Sequence, residues 1–197
     1  MPDSRPNIIV FMTDDQGYGD LSCMGATDFR TPNLDGLAAD GARFTSWYSN
    51  SPVCSPSRAA LLSGRYPGNA GVRSVLRGYR TATGLPQSTP TIPSLLSEVG
   101  YQTRMVGKWH LGHTQAHQLP GAHGFDHFHG HLHTNTDYFR HERESGHDLQ
   151  ENGKPVDLTG QYLTHIQARE AVRFIEDRNP KKPFFLYVPF TAPHSPM

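Results

Sequence analysis

The sequence lacks the features typical of membrane, nucleic-acid-binding and disulfide-rich proteins. No apolar run approaches the roughly 20 residues that a membrane-spanning helix needs. Lysine plus arginine and aspartate plus glutamate both total 18, so no excess charge favours a nucleic acid or a membrane surface as partner. Only Cys23 and Cys54 are present, which excludes a disulfide framework.

The N-terminal segment also lacks a secretory signal. Residues 1–8 have neither a basic n-region nor an apolar h-region. Two locations therefore remain open: the cytoplasm for the sequence as written, or the periplasm or exterior if a signal has been removed. At 197 residues, with 19 glycines and 16 prolines, the chain has the length of one domain or slightly more and the composition of a loop-rich enzyme.

Alternating strand and helix patterns predict an α/β fold. Apolar runs predict strands at 7–13, 101–106 and 183–190. The first of these is expected to be buried and central, because it is continuously apolar. The alternation at 43–48 predicts one more strand. Caps, prolines and terminal glycines predict helices at 31–41, 57–63, 91–99 and 159–178. The last helix is expected to present one apolar face of Leu163, Ile166, Val172 and Ile175.

Polar residues follow these elements where a ligand would bind. In α/β sheets, ligands gather outside the carboxyl ends of the strands. The predicted strand ends carry Asp14-Asp15, Lys108 with His110, and His194, while Cys54 lies next to a helix N-terminus. Because Arg58 is one helical turn beyond Cys54, its guanidinium can fold back toward that cysteine.

Two longer motifs identify a family. Cys54-Ser55-Pro56-Ser57-Arg58 continues to Gly64, and Gly107-Lys108-Trp109-His110 follows a strand. With Asp14-Asp15 and Pro193-His194, these motifs closely resemble the sulfatase family of the alkaline phosphatase superfamily, in the family's order. The resemblance implies an alkaline-phosphatase-like α/β sandwich with a mostly parallel central sheet flanked by helices, and a sulfuric ester hydrolase of arylsulfatase type.

The resemblance also implies the chemistry of Cys54. A maturation enzyme would oxidise it to formylglycine, and one hydroxyl of the hydrated aldehyde would attack sulfur while the other later expels sulfate. Asp14, Asp15 and the modified Cys54 would hold Ca²⁺ or Mg²⁺, cations that prefer oxygen ligands. Arg58 would hold the nucleophile and balance charge.

The remaining implied roles belong to a lysine and two histidines. Lys108 would bind sulfate, and His110 would hydrogen-bond the hydrate and assist sulfate release. His194 would bind substrate at the bridging oxygen or protonate the leaving alcohol. The natural substrate is left open between aryl and carbohydrate sulfates.

A histidine-rich segment permits a second interpretation. His127, His129, His131 and His133 alternate and would share one face of a strand, but no cysteine or acidic pattern completes a zinc site. We therefore favour a family loop at 123–133 over zinc, and a lid or substrate loop for 111–155 as a whole.

Residues 1–197 are expected to form the N-terminal part of the catalytic domain. The resemblance implies later metal ligands and a further lysine beyond it, so we expect weak or no activity from this part alone. A phosphonate or phosphate ester hydrolase of the same superfamily and a noncatalytic sulfate-binding protein remain as alternatives.

Overall fold

The computed structural model describes residues 4–77, 83–143 and 146–196. Its centre is a six-stranded sheet, ordered β1 (Ile8–Met12), β8 (Phe184–Pro189), β2 (Gln102–Lys108), β3 (His127–His131), β6 (Gln150–Glu151) and β7 (Lys154–Pro155). The first four strands run parallel, and the last two join antiparallel. A separate antiparallel pair consists of β4 (Glu142–Arg143) and β5 (Gly146–His147).

The α-helices of the described residues are α1 (Pro32–Asp40), α2 (Cys54–Ser63), α3 (Ile92–Glu98) and α4 (Leu163–Asp177). α1 and α3 match the predicted helices to within one residue at each end, whereas α2 begins at Cys54, three residues before the predicted start at Ser57. At the start of α3, the Thr91 side chain accepts from Ser94 N while Ser94 Oγ accepts from Thr91 N, a capping box. The predicted α/β fold with a mostly parallel sheet flanked by helices is confirmed. None of these helices has the length and apolarity required to cross a bilayer.

Both faces of the central strand β8 are buried. One face packs against α4 through Val106, Ala171, Phe174, Phe184, Leu186 and Val188. The other contributes Phe185 and Tyr187 to a larger core with Met105, Trp109 and Leu62. Parallel pairing sets Met12 beside Pro189 and Lys108 beside His131, so the polar residues after these strands meet at one edge of the sheet.

Two strand predictions are wrong in part. β1 is not central: within the described residues it pairs only with β8, and Ile9 and Phe11 are 42% and 58% exposed. Residues 43–48 form no strand. A strand needs backbone hydrogen bonds to a neighbouring strand, and no strand of the described chain pairs with these residues. Alternation of polar and apolar residues cannot replace that pairing.

Two further corrections concern α4 and the segment before it. The helix begins at Leu163 rather than at 159, and Val172 is 53% exposed. Leu163 and Ile166 are buried as predicted, but at about 100° per residue Val172 lies opposite Leu163. Gln167, Ala171 and Phe174 complete the buried face in its place. Residues 111–155 are not a single lid, because they include β3, an integral strand of the sheet.

Candidate active site

Asp14 occupies the centre of the site, just beyond β1. Its carboxylate is buried and accepts hydrogen bonds from Arg58 Nη2 at 3.1 Å and from Lys108 Nζ. Its backbone N–H donates to Ala192 O at 3.1 Å. Burial opposes the charged carboxylate, but the charges and hydrogen bonds of Arg58 and Lys108 hold the pKa of Asp14 below its usual value.

The two cations around Asp14 are themselves fully buried. Arg58 Nη1 donates to Lys108 O at 2.7 Å, so the guanidinium joins α2 to the end of β2. Burial and the charge of Arg58 lower the pKa of Lys108, and the attraction of Asp14 offsets part of that effect. Two buried cations and one buried carboxylate leave an excess positive charge, which favours an anionic ligand.

Cys54 is the first residue of α2 and half-buried. It lines a cleft of about 240 Å³ together with Asp14, Asp15 and Ser57. The N-terminal end of an α-helix carries partial positive charge and unpaired N–H groups. The Cys54 side chain therefore lies where both α2 and the two cations favour negative charge.

Asp14, Cys54 and His194 each bring one ligand atom within 4.8 Å of the others, the one such group of three among the described residues. Asp15 lies at the same cleft, but its side chain is 58% exposed, and its Oδ2 is 3.5 Å from His194 Nε2. Asp15 has φ 66°, so the backbone does turn sharply between the two carboxylates.

These donors fit one part of the coordination shell of a hard cation. Each carboxylate oxygen has two lone pairs, so Asp14 can keep its bonds to Arg58 and Lys108 and still contact a metal. Ca²⁺ takes about six to eight oxygen ligands. Asp14 and Asp15 would supply two carboxylates of such a set.

His110 is buried and neutral. Its Nε2 lies 2.8 Å from Leu76 O, and since a carbonyl only accepts, Nε2 carries the proton. Burial and the nearby Lys108 lower the pKa of His110 to about 2. Its Nδ1 is a buried acceptor with no hydrogen-bond partner among the described residues. Lys108 and His110 do not simply alternate along an extended tip, because His110 has φ 54°.

The alternating histidines lie on β3 and just beyond it, and three of them form hydrogen bonds with three different residues. His127 Nε2 is 2.7 Å from Glu151, His131 Nε2 is 2.8 Å from Thr191 Oγ1, and His133 Nδ1 is 2.8 Å from Asp148. Among the described residues, none of these histidines belongs to a group of three side chains placed to hold a metal ion. The zinc interpretation gains no support from this arrangement.

Sequence reasoning missed the residues around His194. Thr191, Gln167 and Tyr138 are all buried and connect to the loop that carries this histidine. Thr191 lies within the Thr-Ala-Pro-His segment, which was the one available signal. Gln167 and Tyr138 lie 27 and 56 residues away from His194, with no motif to join them.

Comparison with known proteins agrees with this geometry. A family model described as Sulfatase matches residues 6–197. Arylsulfatase J of Mus musculus is 37% identical over 201 residues, covering 98% of this chain and 33% of that protein. Human N-acetylgalactosamine-6-sulfatase is 39% identical over 213 residues, covering 98% and 40%. The chain therefore belongs to the sulfatase family.

Solved structures extend the likeness to the fold. The crystal structure of Ps i-CgsB superposes with a TM-score of 0.92 at 38% identity, covering 98% of this chain and 46% of that one. A structure in complex with its substrate D-glucosamine-2-N,6-O-disulfate gives 0.80 at 35% identity, covering 97% and 35%. The chain thus spans between a third and a half of the length of these relatives.

Proposed function

We propose that this chain forms the nucleophile-bearing part of the catalytic domain of a sulfuric ester hydrolase. The observation that carries the proposal is the convergence of Cys54, Arg58 and Lys108 on the buried Asp14. A sulfate monoester is a compact anion, and fixed buried cations stabilise the charge that develops on it without reorganising. The mature residue at position 54 would be formylglycine, whose hydrate provides both an attacking and an expelling hydroxyl.

Each of the other residues has a role consistent with its contacts. Lys108 binds sulfate, and Arg58 holds the nucleophile and balances its charge. His110 accepts a hydrogen bond from a hydroxyl at position 54 through its free Nδ1. His194, at the cleft rim, donates to the bridging oxygen as the alcohol leaves. Asp14 and Asp15 would hold a divalent cation, Ca²⁺ or Mg²⁺, which supplies Lewis-acid stabilisation when bound.

The substrate class follows from the relatives rather than from the cleft itself. The compared structures include one bound to a disulfated glucosamine and one bound to a neocarrahexaose. We therefore favour a carbohydrate sulfate over a simple aryl sulfate as natural substrate. A formylglycine-generating enzyme is the implied maturation partner, because Cys54, Pro56 and Arg58 fulfil the Cys-x-Pro-x-Arg segment.

The proposal is tested with the complete gene product purified from cells that contain a maturation enzyme. We expect peptide mass spectrometry to find formylglycine at position 54, and turnover of an aryl sulfate to exceed that of the matched aryl phosphodiester. Cys54→Ala should abolish turnover, whereas the matched change Cys23→Ala should retain it. Active enzyme with an unmodified thiol at Cys54 would refute the mechanism, and faster phosphodiester turnover would reassign the substrate.

A further inference from the structure

The loop that carries His194 is tied to the protein at several points. His194 N donates to Thr191 O at 3.0 Å, which closes a tight turn. Within that turn, Ala192 O accepts from Asp14 N at 3.1 Å, and Tyr138 Oη donates to His194 O at 2.8 Å. The backbone around His194 is therefore fixed relative to Asp14.

A buried chain of side chains holds the first residue of this turn. Gln167 Nε2 donates to Thr191 Oγ1 at 3.2 Å, and Thr191 Oγ1 lies 2.8 Å from His131 Nε2. All three residues are fully buried, so water cannot replace a lost partner at no cost. Gln167 lies on α4, Thr191 follows β8, and His131 is the last residue of β3. The two hydrogen bonds to the Thr191 hydroxyl therefore fix its position relative to α4 and to β3.

The Thr191 hydroxyl can bond both neighbours at once. A hydroxyl donates one hydrogen bond and can accept two, so Thr191 Oγ1 accepts from Gln167 Nε2 and also bonds His131 Nε2. The other ring nitrogen of His131, Nδ1, lies 3.9 Å from Asp148 Oδ2. Asp148 in turn accepts from Leu132 N, His133 N and His133 Nδ1. The hydrogen-bonded chain thus runs from Gln167 on α4 through Thr191 to His131 on β3, and the Asp148 carboxylate lies beside His131.

We propose that Thr191, His131 and Gln167 are positioning residues for His194, acting through the turn that Thr191 begins. This inference rests on the proposed sulfatase function, in which His194 assists the departing alcohol. A displacement of about 1 Å in such a group can cost up to about 100-fold in rate. Loss of the Thr191 hydroxyl should therefore lower kcat through His194, without disturbing the sulfate-binding cations.

The test uses substrates that depend differently on His194. A sulfated sugar has a poor alkoxide leaving group and needs proton donation, whereas 4-nitrophenyl sulfate needs little. We expect Thr191→Val to lower kcat for the sugar sulfate by about tenfold or more, with a smaller loss for the aryl ester. Thr191→Ser, which keeps the hydroxyl, should recover most of the rate. Thr164→Val is the matched control, because the Thr164 hydroxyl has no hydrogen-bond partner in the described chain.

A double-mutant cycle separates positioning from a general loss of structure. In a His194→Ala background, Thr191→Val should cause no further loss, since its effect acts through His194. Gln167→Leu should repeat the leaving-group pattern if Thr191→Val does not fold. Equal losses on both substrates, or losses that add to that of His194→Ala, would overturn the inference. Wild-type enzyme without sulfate turnover would instead remove the proposed function, and the inference with it.

Discussion

The side of the sheet under α4 and the edge formed by β1 differ in how they hold the site. Every residue of β8 is buried, and the residues that meet there, such as His131 and Gln167, bond fixed partners. Along β1, burial alternates, and nearby Trp47 and Tyr48 are 74% and 78% exposed. The fold itself can hold buried, hydrogen-bonded side chains in one orientation. The orientation of exposed side chains depends on what binds or covers them.

The same contrast divides the two adjacent acids. Asp14 is buried between two cations and belongs to the protein core, while Asp15 is exposed toward the cleft and contacts His194. Neighbours in sequence thus have different tasks. Asp14 joins Arg58 and Lys108 inside the protein, and Asp15 remains open to a ligand. Substitutions on the two sides should therefore differ in whether they lower stability or only activity.

The largest effect is expected from the buried arginine. Arg58→Met leaves Asp14 with one cation fewer in a water-free environment, and removal of one partner from a buried ion pair costs about 3–5 kcal/mol. Urea unfolding should show this decrease in the free energy of unfolding. Arg65→Met, just after the same helix and exposed, should change it by less than about 0.5 kcal/mol. Similar values for the two variants would mean that the Asp14 network adds no stability.

A smaller effect, on activity alone, is expected from the exposed acid. Asp15→Ala should lower kcat/KM for a sulfate ester by at least about tenfold, through loss of a cation ligand. Metal analysis should show less bound Ca²⁺ or Mg²⁺. The thermal midpoint measured after removal of the metal with a chelator should not move; it is measured metal-free because a bound cation itself stabilises the folded protein. Glu176→Ala removes an exposed carboxylate on α4 and serves as the control. A large fall in the metal-free midpoint of Asp15→Ala would show that this acid is structural after all.

The smallest effect is expected in the pH dependence of stability. Burial lowers the pKa of His123 to about 4, whereas the unfolded chain has an ordinary histidine. Below about pH 6.5 the unfolded state therefore binds a proton that the folded state does not bind until near pH 4. The stability contributed by neutral His123 is complete above about pH 6.5 and declines as the pH falls toward 4.

Thermal midpoints measured from about pH 7.5 to about pH 4.5 should reveal this linkage. The wild-type midpoint should decrease on acidification, and His123→Gln should make that decrease shallower. Burial also lowers the pKa of His110 to about 2 and that of His131 to about 4. Both histidines therefore add to the decrease in stability on acidification. An unchanged slope in His123→Gln would show that His123 is not held neutral in the folded protein.

The motifs in the sequence were sufficient for the family, the fold class and most of the elements. Cys54 to Arg58 and Gly107 to His110 are local patterns, and Pro32, Gly64 and the Thr91–Ser94 capping box each act within a few residues of a helix end. Such short-range signals can be read without knowing the neighbours. Predictions failed where burial decided the outcome, as at Val172, because its helical face depends on which side α4 turns to the sheet.

The sequence alone was enough to predict which side chains follow each strand and that Cys54 lies near a helix N-terminus, because chain connectivity and local hydrogen bonding set both. The enclosure of Asp14 by Arg58 and Lys108, and the contacts of His131 and Gln167 with Thr191, came only from tertiary packing. Those contacts join residues 24 to 94 positions apart. No local pattern encodes them, since they arise when parallel strands and α4 pack and exclude water around a few polar groups.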